Sequence, residues 1–264
     1  MRKKSVVARL ILDTGVPVPF PAAQVVISQP TIEEIGMIGG DNIFLMGVEA
    51  LTRNYLAIQD KVDLGDLSNF EIFMRVISEK NEKNYQIAHA VEEVLFLIFP
   101  NYRVGFTPAS IMLQEESDEN KAIHIIDKNN FDDFTLILND IFCLDEIKGV
   151  NNDDYNPMGD RAAALVDKFR KKRELLAQLR AERGEDDNQS IYGRYISILA
   201  VGLQKNKKSL AKYSVYQLIE EFKRFQLKEA FDYTIQAKLA GATKIKDAKD
   251  WMTDIRFGEV DNDE

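Results

Sequence analysis

From Tyr213 to Ile255 the chain reads YSVYQLIEEFKRFQLKEAFDYTIQAKLAGATKIKDAKDWMTDI. A mainly apolar stripe runs there with recurrent steps of three and four, through Tyr216, Leu218, Ile219, Phe222, Phe225, Gln226, Phe231, Ile235 and Leu239, with charge on the other side. That period fits an amphipathic helix and not a strand, so the end of the chain is committed to helical packing. Ser214 and Gln217 have capping-box spacing at its start. Gly241 stops it, and a short second helix is expected to carry Trp251, the single tryptophan.

Upstream, the pattern is all-helical back to Asn156-Pro157, where a capping residue precedes a proline at the first helical position. One helix is expected from there to about Arg183 and a second in SIYGRYISILAVGL, followed by the basic loop QKNKK. Before this lies DEIKGVNNDDY (145–155), a turn-rich candidate linker.

The front of the chain alternates differently. Val6 to Asp13 and Ala23 to Ser28 read as strands around GVPVPFP, whose prolines confine them to an edge or a turn. Capping-box pairs Thr31/Glu34 and Ser68/Glu71 open helices, Gly39-Gly40 closes one and Asp41 is placed to cap the next. Another helix, QIAHAVEEVLFLIF, stops at Pro100. RVGFT, SIMLQ and AIHII then read as an antiparallel meander, and a helix from Phe131 to Leu144 completes the unit. The expected fold class is α+β: a mixed N-terminal domain (1–150) with short antiparallel strands and helices, an all-α helical bundle (156–257), and an acidic disordered tail (258–264).

Composition narrows the function. No apolar run reaches the roughly 18 residues of a membrane span. The basic start MRKKS lacks a long enough apolar stretch or a cleavage site for a secretory signal. Cys143 is the lone cysteine, so no internal disulfide can form, and a place in the core suits it better than nucleophilic chemistry. Residues 1–156 carry 13 Lys+Arg against 25 Asp+Glu, a net of −12; the remaining 21 against 18 give +3. An acidic protein of this kind is not built for nucleic acid, which needs a concentrated positive face.

The candidate chemical motifs reduce to structural roles. Asp132 and Asp133 sit where a helix begins, while Asp153/Asp154 and Glu185 to Asp187 lack metal-loop spacing. Gly36, Gly39 and Gly40 lack the partners of a phosphate loop. Lys168 to Arg173 is diluted by acids and has no interleaved aromatic platform. No catalytic residue, metal or cofactor is expected. The bundle nevertheless carries Tyr192, Tyr195, Tyr213, Tyr216, Phe222, Phe225, Phe231, Tyr233 and Trp251, more aromatic surface than three or four helices readily hide. Most of the stripe is expected to be core. The partner-binding set drawn from it is Tyr216, Phe222, Phe225, Tyr233 and Trp251, with Tyr233 and Trp251 foremost, because exposed Tyr and Trp favour protein docking.

QPTIEEIGMIGGDNIF (29–44), YNPMGDRAAALVDKF (155–169), SIYGRYISILAVGL (190–203), the long helix to AGA and DWMTDI together span nearly the whole chain. They resemble proteins encoded in the structural-gene modules of phages and prophages of Gram-positive bacteria. The resemblance implies a non-enzymatic protein of the host cytoplasm. It resembles a tail assembly chaperone that sheathes the tape-measure protein, with homo-oligomerisation as a further expectation. The substantial front unit suits a permanent virion subunit of the tail or neck equally well.

Overall fold

A computed structural model describes residues 6–53, 67–79, 81–116, 123–144, 190–241 and 250–252. The expected linker (145–155), the expected helix to Arg183 and the expected tail (258–264) lie outside them, as do Asp153, Asp154, the 185–187 acids and the 168–173 basic run.

The architecture is α+β. The start corrects the sequence reading: Val6 to Asp13 is not a strand, and α1 spans Arg9–Thr14. A short apolar run suits either period, and here tertiary bonds decide. The Val6 and Val7 N–H groups donate to one Asp140 carboxylate oxygen at 2.7 and 3.0 Å. Gly15, at φ 68°, then ends the helix in the left-handed conformation that glycine tolerates. Strands β1 (Val18–Phe20) and β2 (Val25–Ile27) form an antiparallel hairpin, each burying its outer two residues. Pro19 occupies the exposed middle position of a two-stranded sheet, where its missing donor costs little. The buried Gln29 amide ties hairpin to helix by donating to the carbonyls of Ile11 and Val16.

Both expected capping boxes form, at Thr31 for α2 (Ile32–Met37) and at Ser68 for α4 (Asn69–Ser78). Helix α3 (Asp41–Thr52) is capped by Gly40, not by Asp41, which is its first residue. Freed from capping, the Asp41 carboxylate accepts the Tyr192 N–H from a distant helix at 3.2 Å. Helix α5 (Glu82–Ile98) ends just before Pro100 and packs along α3, where the missing side chain of Gly47 lets the helices meet at the Ala90 carbonyl.

The meander forms as read: β3 (Tyr102–Thr107), β4 (Ser110–Glu115) and β5 (His124–Ile126) pair antiparallel in chain order. Helix α6 (Phe131–Phe142) supplies the densest apolar face, with Phe131 5.3 Å from Phe70 and Phe142 5.0 Å edge-on to Phe44. Cys143 is buried behind it.

The last described elements are α7 (Ile191–Gly202), the single turn α8 (Lys207–Leu210) and α9 (Val215–Leu239). Tyr192, Tyr195, Leu199, Leu210, Val215, Leu218 and Ile219 join the same hydrophobic cluster as the front elements. Backbone bonds reinforce the union. The Ile32 and Glu33 N–H groups, among those a helix N-terminus leaves unpaired, donate to the carbonyls of Tyr213 and Ala211 at 3.0 and 2.8 Å. Front and back are therefore distinct in composition but continuous in packing.

A candidate partner-binding surface on the last helix

Helix α9 is 25 residues long and opens with the expected Ser214/Gln217 capping box. Its first three turns belong to the core. Tyr216 is 3% exposed and is thereby removed from the expected partner-binding set as a surface residue. Burial pushes its hydroxyl well above the ordinary tyrosine range, with Asp13 adding to the effect. Phe222 is partly buried against Tyr195, ring centroids 4.5 Å apart. Phe225 lies over Gly202, where any side chain on the glycine would strike its ring. These three aromatics hold α9 to the body of the protein.

Polar groups fasten the same stretch. Glu220 accepts from Arg224 at 2.8 Å and from Arg9 of α1 at 3.4 Å. Gln217 donates to the Asp13 carbonyl at 2.9 Å. Lys205 donates to Tyr213 Oη and Glu221, both at 3.0 Å, and those bonds raise its pKa, Tyr213 contributing most.

Beyond Ile219 no described residue of α9 is fully buried. Tyr233 is 67% exposed, Ile235 41% and Leu239 83%. At about 100° per residue, the core-facing side defined by Val215, Leu218, Ile219 and Phe222 continues as Gln226, Ala230, Tyr233 and Ala237. Leu227, Phe231, Ile235 and Leu239 form a row of four-residue steps, centred about 180° away. The helix thus carries two apolar faces, one after the other, on opposite sides. The sequence reading placed Phe231, Ile235 and Leu239 in a single stripe with Tyr216; the signal that separates them is the step from Phe225 to Leu227, which breaks the three–four rhythm.

Trp251 is partly buried, and its carbonyl accepts from Arg224 Nη1 at 2.6 Å. Arg224 projects from the side that bears the second row, so Trp251 stands beside the beginning of that row. Of the five expected site residues, the structure leaves Tyr233 open, Trp251 half covered, and Tyr216, Phe222 and Phe225 engaged within the chain.

Among the described residues, the remaining candidates have structural roles. Asp132 accepts from Asn69 at 3.0 Å in the first turn of α6. Gly39 and Gly40, at φ 106° and 90°, make the turn between α2 and α3. Among the described residues no group of three or more His, Cys, Asp or Glu is placed to hold a metal ion, and no helix is long and apolar enough to cross a membrane.

No curated protein and no solved structure matches the chain. Residues 193–256, which include most of α7 and all of α8 and α9 and reach past Trp251, match the family model described as the YomV second domain. That family is associated with phages and prophages, and the part of this chain that carries the candidate surface is similar to it.

Proposed function

We propose that this chain is a non-enzymatic phage tail assembly chaperone, acting in the host cytoplasm on the tape-measure protein through the distal half of α9. One observation carries the reading: a helix anchored by its first three turns presents Tyr233, Ile235 and Leu239 to solvent, in the segment similar to a phage-associated domain. Ile235 and Leu239, four residues apart, are anchors of the kind a groove reads, and Tyr233 stands on the other side of the same helix. Exposed tyrosine supplies contact area at low entropic cost. Affinity purification of the tagged chain from infected cells is expected to recover the tape-measure protein, while purified particles lack the chain. Stoichiometric presence in particles would overturn the chaperone reading.

That outcome would favour a structural subunit of the tail or neck. The continuous core between the α+β front and the last helices supports this second reading, since a rigid body suits a permanent place in an assembly.

A further inference from the structure

We infer that the outward row of α9 docks on the outer face of α5 in a second copy of this chain, a head-to-tail contact. The two faces are complementary in chemistry and in length. On α5 the side turned from the core carries Tyr85, 76% exposed, and Phe96, 61% exposed, at the ends of a stripe completed by His89 and Glu92. Eleven residues of helix separate the two rings by about 16 Å. Glu92 lies within the stripe, Glu82 and Glu93 border it, and His89 Nδ1 is 3.8 Å from a Glu93 carboxylate oxygen. On α9 the row from Leu227 to Leu239 extends about 18 Å. Lys223, Lys228 and Lys238 flank it, with Asp232 paired to Lys228 at 2.6 Å. An apolar row flanked by three lysines thus faces a stripe ended by two aromatic rings, with three carboxylates in and beside it.

Among the described residues, Tyr85 and Phe96 of the one row and Ile235 and Leu239 of the other are exposed within one chain, while Leu227 and Phe231 are half-buried. The opposite pairing, α9 on α9, sets lysines against lysines. A contact between two different patches is heterologous and propagates into a ring or filament. One helix-on-helix contact lies at the low end of interface size, so each joint is weak and assembly depends on concentration. The contact uses Ile235 and Leu239, which the proposed tape-measure surface also presents, so Leu239→Asp bears on both readings, whereas Phe96→Asp, on α5, bears on this contact alone.

Sedimentation velocity on the full chain tests it. The wild type is expected to form species larger than a dimer as concentration rises. Leu239→Asp and Phe96→Asp, both at exposed positions, are each expected to remain monomeric alone. Mixed one to one, they are expected to give a species of two chains and nothing larger, because only one intact pair of faces remains. Lys238→Glu and Tyr85→Lys substitute for either variant whose circular dichroism departs from wild type. A wild type that stays monomeric would overturn the proposal and mean that the chain's own residues cover the row. Wild-type association by either variant alone, or a mixture that stays monomeric, overturns it equally.

Discussion

Tyr192 lies fully buried between α3 and α7, and its hydroxyl has no hydrogen-bond partner among the described residues. Burial pushes its pKa well above the ordinary 10.0, and Tyr216 is displaced in the same direction. A raised tyrosine pKa means that the folded state holds the proton more tightly than the unfolded state. The stabilisation is complete below pH 10 and is lost as pH rises above it. Chemical denaturation between pH 8 and 11 is expected to show falling stability, with a shallower fall in Tyr192→Phe. At neutral pH the same variant is expected to be neutral or slightly stabilising, because it removes an unsatisfied polar atom and keeps the ring. Tyr233→Ala has a different signature. At its exposed position the change in stability should stay within about 0.5 kcal/mol, whereas partner affinity should fall about tenfold or more by calorimetry. Trp251→Ala keeps the carbonyl that Arg224 grips, so weakened partner binding with an unchanged melting curve is expected; unfolding would assign Trp251 to the core.

At the scale of elements, the capping boxes were the most legible features, because a hydroxyl and a carboxylate or amide three residues apart satisfy local donors whatever the fold. Those at Thr31, Ser68 and Ser214 all form. Ser214→Ala is expected to cost about 1 kcal/mol in a denaturant titration. The meander and its order were legible from alternation. Helix α1 was not, since Val6 to Leu12 fits two periods and its choice depends on Asp140, more than 130 residues away in sequence. The two-faced character of α9 was only half legible: the apolar positions were visible, but burial of the first set and exposure of the second are tertiary facts. Gly47 shows the same limit. Nothing local marks it as a packing glycine, yet a methyl there would overlap the Ala90 backbone. Gly47→Ala is expected to lose about 1–3 kcal/mol by thermal unfolding, despite the better helix propensity of alanine.

For the whole molecule, composition and packing divide the chain differently. Charge separates an acidic front from a mildly basic back, whereas the hydrophobic cluster runs through both. Differential scanning calorimetry is expected to show the described front and back unfolding together.

The carbonyls of Ala211 and Tyr213 complete the first turn of α2, a helix that begins at residue 32. A ribosome makes the donors long before the acceptors. Throughout translation of the intervening residues, the nascent front has two backbone donors and a core face waiting for material not yet synthesised. Folding of this protein is thus timed by its end: a chain stalled ahead of residue 211 lacks both acceptors and the buried side chains of the last helix, and is expected to stay open to proteolysis until they emerge.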